Sequence, residues 1–157
     1  PINVAPVLYN KTEGKFQIAS INTLGMLYIA ENGESIKSID DVKGKTIYAS
    51  GKGSTPEYVL NYILTSKGID IEKDVNIVWL SEHAAVSAKV ISEENSLALL
   101  PEPFVTTTTM QSEKVKVAID LNEAWKDITG TNLMMTAFVV NKEYADKNPN
   151  TVAVGAY

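Results

Sequence analysis

The sequence has no cysteine, no arginine and a single histidine, His83, among its 157 residues. Without Cys there are no disulfides, no thiolate metal sites and no Cys nucleophile. With one His, a His-rich metal centre and a His-paired nucleophile are both poor candidates. All 14 cations are Lys, set against 19 acidic residues, for a net charge of -5. Nucleic acid is therefore not an expected partner, because a phosphate backbone wants a basic face and base readout favours Arg. No run of eighteen apolar residues occurs and the mean hydropathy is -0.04, which argues against a membrane-spanning helix. What the chain does have is 45% hydrophobic and 21% charged residues, enough to bury a core and too little charge for wholesale disorder.

The first residue is Pro1, and no charged stretch followed by an apolar one opens the sequence. Pro1–Pro6 reads as the last turns of a helix, and residues 151–157 read as a short, apolar, uncapped end. Both ends read as cuts within a longer chain, with frayed termini of a small domain as the alternative.

Between the ends, short apolar stretches alternate with helical patterns. Strands are expected over Phe16–Ala19, Leu24–Ala30, Thr46–Ala49, Val75–Leu80, Leu97–Leu100, Lys114–Ile119 and Met134–Asn141. A single helical turn is expected at Ile39–Gly44. Longer helices are expected over Ser54–Lys67, His83–Ser92, Asn122–Ile128 and Lys142–Lys147. The Ser54–Lys67 helix has the clearest signals. Ser54 and Glu57 have capping-box spacing, Pro56 falls in the first turn, and Lys67-Gly68 ends it. Val59, Leu60, Ile63 and Leu64 form its apolar stripe. In His83–Ser92 the apolar face is read as Ala84, Ala88 and Ile91. After Pro101-Glu-Pro103 a helix is expected against the preference of four consecutive threonines. This alternation predicts an α/β fold with a mostly parallel central sheet and helices on both faces. Ligands then bind beyond the carboxyl ends of the strands, in the loops after Ala49, Leu80, Leu100 and Ile119.

One of those loops carries the most chemistry: Ala49-Ser-Gly-Lys-Gly-Ser-Thr-Pro56. Two glycines permit a tight turn and close approach of backbone to ligand. The helix that follows offers amide donors and a partial positive charge to an anion, and Ser50, Ser54 and Thr55 add hydroxyls. The order of Gly and Lys fits neither a Walker A loop nor G-x-G-x-x-G. An ordinary strand-to-helix turn is the plain alternative. Glu102, between two prolines after a strand, is a second candidate, its alternative being a solvated loop carboxylate. His83 reads as a surface or packed residue before it reads as a base. Tyr58 and Tyr62 read as helix packing, Trp79 and Trp125 as core, and Glu93-Glu94 as a solvated helix end.

Ser38-Ile-Asp-Asp-Val-Lys-Gly-Lys-Thr-Ile-Tyr-Ala-Ser-Gly-Lys-Gly-Ser-Thr-Pro56 resembles the central signature of bacterial ABC-transporter solute-binding proteins of the sulfonate, nitrate, taurine and thiamine-precursor type. Gly68-Ile69, Leu99–Pro103 and Phe138–Tyr144 resemble that family's later segments in the same order. The resemblance implies a type II periplasmic-binding-protein fold, two α/β lobes joined by crossing strands. On that pattern residues 1–23 are a remnant of the first lobe and 24–43 a crossover strand and linker. Residues 44–134 are the second, inserted lobe, and 135–157 the return crossover and the start of the first lobe's C-terminal part. Carried over by position, ligand contacts are Asn3 and Asn22 on one side and Ser50, Gly51, Gly53, Ser54 and Thr55 on the other, with Glu102 opposite. The implied function is a non-catalytic, extracytoplasmic receptor, periplasmic or lipid-anchored. It is monomeric, needs no cofactor or metal, and delivers a small solute to a membrane permease. Lys52 is the only cation in the loop and Glu102 repels a dianion, so a zwitterion or a neutral heterocycle with an exocyclic amine is the expected ligand. Enzymes on the same fold, and effector domains of regulators, are the alternatives.

Overall fold

The computed structural model describes residues 1–155 and divides into two compact units, Pro1–Gly25 with the chain from Met134 onward, and Met26–Leu133. In the first unit, α1 (Val4–Lys11) precedes β1 (Phe16–Leu24), which pairs antiparallel with β7 (Met134–Asn141), followed by α6 (Lys142–Lys147) and α7 (Pro149–Gly155). A helix thus begins, rather than ends, near Pro6. The ring of Pro6 lies in the first turn, where no intrahelical N–H is lost.

The second unit is a five-stranded sheet in the order β4-β3-β5-β2-β6. Its strands are β2 (Leu27–Asn32), β3 (Thr46–Ser50), β4 (Asn76–Leu80), β5 (Leu97–Pro101) and β6 (Val115–Asp120). β3 pairs parallel with β4 and β5, while β2 runs antiparallel between β5 and β6. Four of the five strands therefore point the same way. Strands were expected over Phe16–Ala19 and Leu24–Ala30; instead β1 runs on to Leu24, and Gly25 and Met26, both at positive φ, separate it from β2.

The helices α2 (Thr55–Ser66), α3 (His83–Ser92), α4 (Phe104–Gln111) and α5 (Leu121–Thr129) each follow one of the four co-directional strands. α3 packs on α4, and α2 on α5. Ala30, Tyr48, Ala98, Leu100, Val86, Val90, Val105 and Val115 form one buried cluster. Strand alternation sends Ile29, Ile47, Leu97 and Leu99 to the opposite face, and all four are buried. α2 buries the expected Val59, Leu60, Ile63 and Leu64. α3 turns Val86 and Val90 inward and leaves Ala84 and Ala88 exposed, because β-branched side chains fill the space over β3 and β5. α4 forms despite its threonines. Thr107 and Thr108 donate to the Phe104 carbonyl (3.0 and 2.6 Å), and buried Thr108 also bonds Ser87 Oγ at 2.7 Å.

Glu31 is 1% exposed at the end of β2. Its carboxylate accepts from the Ser35 amide (3.0 Å), the Ser35 hydroxyl (2.5 Å) and the Ile36 amide (3.0 Å). Burial raises its pKa, but these bonds and nearby Lys45 outweigh burial and hold it below 4.5. The charged form thus stabilises the fold above the unfolded pKa. That contribution fades as pH falls through the lower folded value. Glu31→Gln is expected to cost about 2–3 kcal/mol at pH 7. Urea melts of both proteins from pH 7 to 3 should converge at the acid end; a constant difference across the range refutes this account.

Candidate functional site

All four co-directional strands end at one edge of the sheet, and each next helix starts there. β3 ends in Ser50, which is 3% exposed. Gly51 and Gly53 follow at φ 81° and 80°, a conformation that penalises any Cβ. A Cβ on Gly51 would also sit 2.9 Å from Ser54 Oγ. The expected capping box does not form. Ser54 Oγ donates instead to the Gly51 carbonyl at 2.5 Å, and its amide bonds the same oxygen at 3.1 Å. Glu57 reaches one residue further back and accepts from the Gly53 amide at 2.5 Å. The left-handed turn at Gly51 brings its carbonyl under Ser54, so the serine hydroxyl is used before it can cap α2. Thr55, buried, opens the helix.

His83 opens α3 directly after β4, the neighbour of β3. Its Nδ1 lies 2.7 Å from Ser50 Oγ, and its ring lies against Phe104, centroids 4.8 Å apart. Burial alone pushes the imidazole pKa below 6.5. A hydroxyl and an imidazole are therefore paired, although the single His made such a pair a poor candidate from sequence. The two partners lie thirty-three residues apart in the chain, and only the parallel register of β3 and β4 brings them together. The cue in the sequence was position: His83 begins a helix at the carboxyl edge.

Glu102 lies one strand further along, half-buried between β5 and α4, where its side chain accepts from Thr106 Oγ1 at 2.9 Å. Its amide donates to the Met26 carbonyl at 3.0 Å, which ties the start of β2 to this edge. Asp120 ends β6 and caps α5, accepting from the amides of Asn122 (2.8 Å) and Glu123 (3.4 Å). Tyr28 of β2 stands opposite Asp120 in the ladder. Burial first, then the charges of Asp120 and Glu102, raise the Tyr28 pKa, so the three share one electrostatic neighbourhood. Tyr28 and Asp120 were not singled out from sequence. Their common signal is placement at the same edge, one at a strand start and one at a strand end.

The structure thus brings Ser50, Gly51, Gly53, Ser54 and Thr55 into one loop and puts Glu102 on the same edge. Asn3 and Asn22 belong to the other unit. Asn3 is half-buried ahead of α1, and exposed Asn22 on β1 accepts from Thr136 Oγ1 at 2.7 Å. A cavity of about 430 Å³ lies at the opposite edge of the five-stranded sheet, beside Asn32 and Lys114. Its Lys114 and Lys116 are paired with Glu94 and Glu34, and Glu113 adds further negative charge, so it offers an acid group little. No cluster of three or more His, Cys, Asp or Glu among the described residues could hold a metal ion. No helix among them is long and apolar enough to cross a membrane.

No curated protein matches the sequence. Among solved structures, the chain is similar to the periplasmic aliphatic sulphonate binding protein SsuA of Escherichia coli, at 19% identity and a TM-score of 0.74 over 96% of this chain and 50% of that one. It is similar to an ABC transporter structure from Parabacteroides distasonis (23% identity, TM-score 0.67, 96% and 50% covered). It is also similar to the alkanesulfonate-binding protein SsuA of Xanthomonas axonopodis pv. citri bound to MOPS (20%, 0.60, 96% and 50%). At these identities the likeness is one of fold, and the chain spans about half the length of each. The family model described as "ABC transporter, phosphonate, periplasmic substrate-binding protein" matches residues 4–146. With that match over nearly its whole length, the chain belongs to the phosphonate-binding family of ABC-transporter periplasmic substrate-binding proteins.

Proposed function

We propose that this chain is part of an extracytoplasmic receptor that captures a small solute for an ABC importer without transforming it. The unit with the five-stranded sheet is the second lobe, and the other unit is part of the first. The first unit exposes Val4, Val7, Tyr9, Ile18, Leu24, Met134, Phe138, Val139 and Tyr144, as expected of a lobe completed by further polypeptide. The receptor works as a monomer and hands the solute to a permease. Asn3 and Asn22 are proposed as the first lobe's contacts.

The observation that carries this reading is the sorting of chemistry along one sheet edge. Amide, hydroxyl and imidazole groups sit at the β4 and β3 ends, with the Glu57 carboxylate turned back onto the Gly53 amide and Glu82 exposed ahead of α3. Carboxylates and a tyrosine sit at the β5, β2 and β6 ends. Neighbouring strands are about 4.8 Å apart, so the two chemistries face a solute from positions one strand spacing or more apart. A zwitterion matches that polarity. Its tetrahedral acid group meets Ser50, His83 and the β3–α2 loop, at the N-termini of α2 and α3. Its ammonium meets Glu102, Asp120 and Tyr28. Phosphonate in the family description and sulfonate in the two SsuA names both denote tetrahedral acid groups. An aminoalkyl-phosphonate or aminoalkyl-sulfonate is therefore the proposed ligand class.

The pairing of Ser50 Oγ with His83 Nδ1 favours one second reading, a hydrolase in which Ser50 is nucleophile and His83 its base. Release of nitrophenol from nitrophenyl esters or phosphates, abolished by Ser50→Ala, would establish it.

Thermal-shift measurements with 2-aminoethylphosphonate and methylphosphonate test the receptor. At about 100 times its Kd, a ligand should add roughly 2.7 kcal/mol of stability. Glu102→Gln should weaken the amine-bearing ligand on the order of tenfold and leave methylphosphonate no weaker. Equal effects on both ligands would overturn the sorted edge.

His83 supplies a second check. Its pKa lies below 6.5 in the folded chain, so the unfolded chain takes up that proton first. Stability should therefore fall as pH drops from about 6.5 through the folded value, and His83→Gln should flatten that segment of the profile. An imidazole that titrates above 6.5 by NMR refutes it.

A further inference from the structure

Glu57 is the one acidic side chain in the first turn of α2, and it turns back on the loop that precedes it. Its carboxylate sits 2.5 Å from the Gly53 amide. That amide belongs to the loop assigned above to the acid group of the solute. We propose that Glu57 is a specificity-determining residue of the ligand site, an internal anion that competes with the acid group of the solute for the Gly53 amide; this rests on the receptor reading given above. The position of Glu57 follows from chain geometry. Gly51 and Gly53 both adopt left-handed φ, which turns the Gly53 N–H toward the first turn of α2. Ser54 is tied down by two bonds to the Gly51 carbonyl and does not compete. Four residues on from Gly53, Glu57 is at the right reach.

The competition has two parts. An incoming phosphonate or sulfonate must displace a charge-assisted hydrogen bond, which is stronger than a neutral one. It must also accept a carboxylate beside it, which penalises a second negative charge more than a single one. Glu57 at the donor end and Glu102 at the other end therefore act alike: both select against multiply charged anions. The groups that offset them are neutral donors, Ser50 and His83, together with Lys52 of the loop. A solute with one acid group and one amine fits this arrangement better than inorganic phosphate does.

Glu57→Gln is isosteric and removes the charge, and Glu57→Ala removes the acceptor altogether. The probe is methylphosphonate, titrated into the 157-residue chain and followed both by the Gly53 amide proton in NMR and by calorimetry. The expected result is a Gly53 proton that shifts upfield in both variants and moves back downfield on adding the probe. Affinity should rise on the order of tenfold over the unsubstituted chain. A Glu57 that merely steadies the start of α2 predicts a lower melting temperature with no gain in affinity, and that outcome overturns the proposal while leaving the receptor reading intact. Saturable binding that is equal in all three proteins has the same consequence. If none of the three binds and the Ser50, Gly53 and His83 signals stay unmoved, the receptor reading fails and the proposal falls with it.

Discussion

Parallel pairing of β3 with β4 and β5 is the constraint on which the rest of the second unit depends. A parallel ladder forces each strand to return through a crossover, here a helix, and each crossover begins where its strand ended. With β6 running the same way, four strand ends and four helix starts gather at one edge. Antiparallel β2 adds its own start to that edge, which is how Tyr28 comes to stand opposite Asp120. The clustering of polar groups follows from topology; no local motif produces it. Ser50 and His83 meet because residues 50 and 80 are ladder partners, and Glu102 joins them because β5 is the next strand over.

Placing polar groups at that edge creates a problem of satisfaction, which the chain solves internally. Ser54 is used by Gly51, the Gly53 amide by Glu57, Glu102 by Thr106, and Asp120 by the start of α5. Behind the edge, Thr108 bonds Ser87, and Ser87 in turn bonds the His83 carbonyl at 3.1 Å, so the start of α3 is braced from α4. Each such bond lowers the cost of burying a polar group, and each must be exchanged when a ligand arrives. For the solute site proposed at this edge, affinity is thus a difference between two sets of hydrogen bonds, and charge decides which set prevails.

That difference explains what could and could not be read from the sequence. The α/β sheet flanked by helices, the stripe of α2 and the glycine turn after β3 were legible because hydrophobic period and glycine placement are local signals. The partner of Ser54 was not legible. Capping-box spacing fits Ser54 and Glu57, yet the left-handed turn at Gly51 offers Ser54 a nearer acceptor, and the backbone wins. The break at Gly25-Met26 escaped notice because Met at positive φ is uncommon and carries no composition cue. The inward face of α3 was misjudged because alanine fits either side of a helix, while Val86 and Val90 fill the space over the sheet. The Ser50–His83 pair needed strand register, which no stretch of sequence encodes by itself.

The two units also differ in how far their own residues complete them. The five-stranded sheet buries aliphatic side chains on both faces, Ile29 and Ile47 on one and Leu100 on the other, where it shares a cluster with Val86 of α3, each fully covered. The β1–β7 pair is two strands only, and a two-stranded ribbon is marginal without a further layer. Among the described residues of that unit Ala145 is the one buried apolar side chain, while Phe138 is 54% exposed. The groups proposed to meet the solute lie in the unit with its own core, where packing holds them at fixed separations. Preorganised groups lose little freedom on binding, so selectivity among solutes follows from the charges they present.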